Sequence, residues 1–195
     1  MTLCAMFAVS FACFPDPVIM GIDPQTQLKY WEWHAGGVLL RLTQRLPDQT
    51  RAFFLARGFA QADADRIAAN CIFQSMFRNT TPATSGTVVS DLNDWRIRTN
   101  GKPGRLLLRE YWRKLWAERE VPESARIAFE WSLLPTYQTY APGDYNWGMT
   151  SYGLSPDARF DLRFSWHRNG ERFEGKIDNI RCAPDIHPEP SADKE

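Results

Sequence analysis

Near its C-terminus the chain alternates apolar and polar residues on both sides of an Asn169-Gly170 dipeptide. Phe160, Leu162, Phe164 and Trp166 alternate with Asp161, Arg163, Ser165 and His167; Phe173, Gly175 and Ile177 follow the dipeptide at the same spacing. A period of two is the strand period, because successive side chains leave the backbone on opposite faces. Asn-Gly favours a two-residue turn whose twist matches that of the strands it joins. Such a turn sets Trp166 opposite Phe173, Phe164 opposite Gly175 and Leu162 opposite Ile177, all on one side. A slip of one residue would move the whole apolar set to the other side, so the register is strongly specified. Arg163 then faces Lys176, a like-charge pair that the diagonal Glu174 and Asp178 can offset. A hairpin with one apolar face requires a cover, and the rest of the chain must supply it.

Upstream segments carry suitable patterns. Within 37–45, Val38, Leu40 and Leu42 alternate with Leu39, Arg41 and Thr43, which predicts a strand. Pro47, Asp48 and Gly58 bracket a helix: Pro suits the first position, Asp complements the N-terminal dipole, and Gly accepts a left-handed exit. From 61 to 79, Ala64, Ile67, Ala68, Cys71, Ile72, Ser75 and Met76 share half of a helical wheel, which predicts one long buried helix with Cys71 facing inward. Short strands are expected at 87–90 and 95–98, followed by the turn-forming NGKPG. Leu108, Tyr111, Trp112, Leu115 and Trp116 predict another helix, with Arg109, Glu110, Arg113, Lys114 and Glu118 outside and Pro122 ending it. Ile127, Phe129, Trp131 and Leu133 alternate with Arg126, Ala128, Glu130 and Ser132, and read as a further strand. The fold class expected is α+β: an antiparallel sheet with a C-terminal β-hairpin, packed by two or three amphipathic helices. One domain spans 37–183. A leader (1–14) and a linker or arm (15–36) precede it, and a Pro-rich, acidic, disordered tail (184–195) follows.

The cysteines bear on compartment. Residues 3–14, LCAMFAVSFACF, have the length of a signal-peptide core but lack a preceding basic segment, and the run is too short to span a bilayer unaided. Its SFAC ending resembles a lipoprotein cleavage box, which makes Cys13 a lipidation candidate and a possible membrane tether. The other reading of this stretch is a buried N-terminal strand or helix. Cys4 and Cys13 fall inside it, leaving Cys71 and Cys182 for the folded part. An even number of remaining thiols suits an oxidising compartment, where these two would form a disulfide; two unrelated buried thiols in a cytosolic protein are the competing reading. The paired reading places the protein in the periplasm or anchored to the envelope.

Lys plus Arg is 23 and Asp plus Glu is 23, so the formal net charge is zero. Neutrality argues against a nucleic-acid partner, whose affinity rests on phosphate neutralisation. No phosphate-loop, dinucleotide, zinc-finger or nucleophile-elbow signature is present, so no catalytic residue, cofactor or metal ligand is assigned. The most distinctive chemistry lies in 135–154, PTYQTYAPGDYNWGMTSYGL, read as a twenty-residue loop. Tyr137, Tyr140, Tyr145 and Trp147 offer large contact area with polar handles. Gln138 and Asp144 add hydrogen bonding, and Met149 an adaptable apolar contact. Loops of this length are commonly functional, and this one is expected to recognise a protein partner or small ligand; the alternative is a segment folded back over the end of the sheet. Two other functions stay open. Copper or another transition metal would need Met149 or His34 to converge with a second ligand. A carbohydrate-active hydrolase would need Asp144 or Glu130 in a cleft with a second titratable group. The favoured expectation is an exported, non-enzymatic binding or accessory protein.

Overall fold

A computed structural model describes residues 17–185. The expected leader with Cys13, and residues 186–195 of the expected tail, lie outside the described residues. Along the chain run β1 (Val18–Ile22), β2 (Lys29–Ala35), β3 (Val38–Gln44), α1 (Pro47–Leu55), α2 (Gln61–Ala68), β4 (Ile72–Asn79), β5 (Val88–Asp91), a 3-10 turn (Leu92–Asp94), β6 (Arg96–Thr99), β7 (Lys102–Gly104), α3 (Arg109–Glu118), α4 (Glu123–Ser132), β8 (Tyr137–Tyr140), β9 (Tyr145–Ser151), β10 (Arg159–Arg168) and β11 (Glu171–Arg181). The class is α+β, with the strands in two antiparallel sheets and the C-terminal hairpin present.

The first sheet has the order β1-β2-β3-β4-β9. In the second, β10 is central. It pairs with β11 along one edge, and β5 and β6 share the other, Trp166 meeting Ser90 and Leu162 meeting Ile97. Beyond them lie β8 and β7. The hairpin has the register that its turn requires: Trp166 opposite Phe173, Phe164 opposite Gly175, Leu162 opposite Ile177. Asn169 and Gly170 both take positive φ, at 52° and 79°.

The two sheets bury their facing sides against each other. Trp31, Leu40, Leu42, Phe73 and Phe77 from the first meet Phe160, Leu162, Phe164, Trp166 and Ile177 from the second. Phe73 meets Phe160, and Trp33 meets Phe164, edge-to-face. Each such buried side chain contributes roughly 1.5–3 kcal/mol of transfer free energy. A second apolar cluster sits over the outer face of the first sheet. There Phe54, Phe59, Trp112, Trp116 and Phe129 of the helical layer close on Ile72 and Met149.

Four segments differ from their sequence reading. The helix expected over 61–79 stops at Ala68, and β4 begins at Ile72. The wheel positions of Ile72 and Met76 coincide with a strand face, and from Ile72 onward the pairing of β4 between β3 and β9 satisfies every backbone group that a helix would have. Cys71 therefore lies in the connection and not within a helix. Residues 126–133, expected as a strand, lie mostly in α4. Phe129 and Leu133 fit either period, but Ala125 extends the spacing of four that packs against the second cluster. The expected linker at 15–36 carries β1 and β2, whose Trp31 and Trp33 point into the sandwich, so the folded unit starts before residue 37. The expected loop at 135–154 is mostly β8 and β9, joined by a turn at residues 141–144.

Cys71 and Cys182 are joined by a disulfide, with Cα atoms 5.4 Å apart and both residues buried. It ties the entrance of β4 in the first sheet to the exit of β11 in the second. Main-chain bonds seat both ends: Cys71 N–H donates to Leu154 O, and Cys182 N–H to Ala158 O. The sequence separation is 111, and closing a loop of that length restricts the unfolded chain by about 4–5 kcal/mol. A Cys71→Ala/Cys182→Ala variant should lose stability of that order in urea denaturation. An unchanged midpoint would show that the cross-link contributes nothing.

Candidate ligand-binding cleft

The outward side chains of β9 are Tyr145, Trp147 and Met149, spaced two apart. Met149 lies beneath the helical layer and is buried, whereas Trp147 and Tyr145 run past its edge and are 68% and 57% exposed. Opposite them stands α4, which turns Ala125 and Phe129 toward the second cluster. Trp131 follows Phe129 by two residues, about 200° around the helix, and so points away from that cluster. It is 86% exposed.

The end of α4 is held against β9. Leu134 N–H donates to Met149 O at 3.0 Å, and Leu133 pairs with Met149 in a short parallel bridge. This approach requires Gly148. A Cβ there would lie 2.4–2.7 Å from the backbone of Leu133 and Leu134, closer than any real contact. Between α4, β9 and the end of α1 lies a cleft of about 490 Å³, lined by Phe53, Arg57, Gln74, Ala128, Trp131, Ser132, Trp147, Gly148 and Met149. A second groove of about 380 Å³ is lined by Arg109, Glu130, Leu133, Pro135 and Asn146. Trp131 and Trp147 line both.

The polar groups around the cleft have defined states. The Arg57 guanidinium lies over the Phe53 ring, 3.3 Å from its centroid, and keeps one hydrogen bond to Phe53 O. The amide Nε2 of Gln74 is buried with no hydrogen-bond partner among the described residues, which leaves a donor at the cleft wall. Glu130 receives two hydrogen bonds from Arg113, at 2.9 and 2.8 Å. These hold its carboxyl below the usual glutamate range, against a smaller opposing effect of burial. At neutral pH Glu130 is ionised and paired with Arg113.

The residues singled out in sequence scatter. Trp147 and Met149 line the cleft, and Tyr145 continues the same face of β9. Tyr140 points into the inter-sheet core, where burial pushes its phenol up to about 12. Tyr137, 62% exposed, and Gln138 belong to β8 in the other sheet. Asp144 lies in the β8–β9 turn, its carboxylate accepting the Ala141 N–H. His34 is exposed on β2, and among the described residues no three His, Cys, Asp or Glu side chains gather as a metal site. Sequence reasoning missed Trp131, because a strand reading puts it beside Phe129 on the buried side. It also missed Phe53, Arg57 and Gln74, which only tertiary packing brings together. No known protein family matches the chain, and neither a curated protein nor a solved structure matches it significantly.

Gly148→Ala should destabilise the protein by about 1–3 kcal/mol in urea denaturation, as overpacking of a close contact does. Wild-type stability at that position would mean that the approach of Leu133 to β9 is not needed. The Glu130–Arg113 pair carries a pH signature. Because folding lowers the Glu130 pKa, its contribution is present above the unfolded-state value of about 4.3 and disappears as pH falls through the lower folded-state value. The stability difference between wild type and Glu130→Gln should therefore be largest near neutrality and shrink as pH falls below about 4. A difference independent of pH would contradict the assignment.

Proposed function

We propose that this protein is an exported, non-enzymatic binding protein that takes a segment of a protein partner, or a small ligand, into the cleft between Trp131 and Trp147. The observation that carries this reading is the pair of indoles left 86% and 68% exposed on adjacent elements, over a concave surface. Water is a poor solvent for such surface, and a ligand that covers it recovers hydrophobic free energy. Trp is also among the residues most often dominant in binding interfaces. The donors beside the rings, Arg57 and the Gln74 Nε2 that has no hydrogen-bond partner among the described residues, suit an occupant with an apolar face and hydrogen-bond acceptors along its edge.

Export is supported by the disulfide, since reducing compartments keep such thiols apart. Among the described residues no helix is long and apolar enough to cross a membrane. In this reading the N-terminal segment with Cys13 serves as the export signal and as the attachment to the envelope.

A photo-crosslinking side chain placed at 131 or 147 in the native host tests the site. Both positions should yield the same adduct, and a crosslinker at Lys114, whose side chain is 81% exposed on α3, should not. Adducts that form equally at 114, or none at 131 and 147, would defeat the assignment.

A further inference from the structure

The helical layer covers the first sheet, and its cleft lies there. On the outer face of the second sheet a different chemistry is gathered. Arg163 of β10 stands directly opposite Arg96 of β6 on one side and Lys176 of β11 on the other. Three cationic residues thus share one rung across three adjacent strands, their backbones roughly 5 Å from neighbour to neighbour. Like charges in that position repel, and the chain as a whole has no net charge to explain them.

The flanking cations are partly compensated. Lys176 contacts Asp178 at 2.7 Å, and Arg96 donates to the carbonyls of Asn93 and Trp95. Arg163, in the middle, is exposed and forms no ion pair among the described residues. Arg98 lies one rung along, opposite Asp161, whose Oδ1 already accepts the Asn179 N–H. These side chains line a groove of about 390 Å³ with Pro103 and Ile97.

We propose that this rung is an oxyanion-binding site for a phosphate group carried by a soluble ligand, with Arg163 as its central contact. A phosphate dianion would offset the like charges that the register of β6, β10 and β11 sets side by side. Its oxygens also match the paired N–H groups that a guanidinium presents in one plane. Local conflict of this kind is expected where a sequence serves binding rather than stability. The site lies on the opposite side of the sandwich from the Trp131–Trp147 cleft and stands independently of it.

Titration of the intact protein with inorganic pyrophosphate, followed by calorimetry and amide chemical shifts at constant ionic strength, tests the proposal. Saturable binding is expected, with shifts at residues 96, 163 and 176. Arg163→Gln should weaken it at least tenfold and, because it removes the repulsion, should raise the thermal midpoint measured without anion. Lys176→Gln should weaken binding with the fold intact, which keeps the test open if the first variant misfolds. Absence of saturable binding, an equal response to chloride, or unchanged affinity in both variants would overturn the site. Binding only to vesicles containing phosphatidylglycerol, without a response to pyrophosphate, would overturn the soluble ligand.

Discussion

Phe160, Leu162, Phe164 and Trp166 leave β10 on one side and are all buried against the first sheet. Every strand of the second sheet pairs with β10 or with a strand that does. The position of that sheet therefore follows from burying one row of side chains. The apolar row faces Trp31, Phe73 and Phe77, and the disulfide joins the two sheets where β4 enters and β11 leaves. Burial is non-directional and sets the overall approach of the sheets, whereas the covalent link fixes one point of it. With the inner faces committed to each other, the outer faces, the edges and the turns are the surfaces left to meet solvent.

The two outer faces meet different fates. Helices α1 to α4 close over part of the first sheet through Phe54, Ile67, Trp112, Trp116 and Phe129. None of them is long, and an isolated helix of 8–10 residues is marginal in water, so the layer persists through packing and not through helix propensity. Where the layer ends, Trp131 and Trp147 emerge from opposite sides of a step made possible by the missing side chain of Gly148. The second sheet has no helical cover among the described residues, and its outer face is polar and charged. An aromatic cleft on one face and a cationic rung on the other give the sandwich two chemically unlike surfaces.

The amount legible in sequence varied with the range of the forces involved. The β10–β11 hairpin was readable residue by residue, since a dyad pattern and an Asn-Gly turn lie within a few residues of each other. The disulfide was readable because two thiols remained once the N-terminal segment was set aside. The α2–β4 boundary was not, because Ile72 and Met76 satisfy a helical wheel as well as a strand face, and only pairing with β3 and β9 decides between them. Segment 126–133 failed for the same reason, since Phe129 and Leu133 fit both periods and the helical packing of Ala125 settles it.

The candidate cleft divides along the same line. Tyr145 and Trp147 could be marked from composition, because aromatic side chains clustered among turn residues are uncommon in a buried strand. Their partner Trp131, the stacked Phe53–Arg57 pair and the Gln74 Nε2, without a hydrogen-bond partner among the described residues, come from three other parts of the chain. By itself the sequence determined the register of the last hairpin and the alternation along β10, which follow from local periodicity, and it narrowed the disulfide to two candidate thiols, whose bond the tertiary structure decided. Which aromatic residues remain in water, and which cations stand side by side, were decided only when distant segments packed, because exposure and proximity are properties of the assembled surface and have no period along the chain.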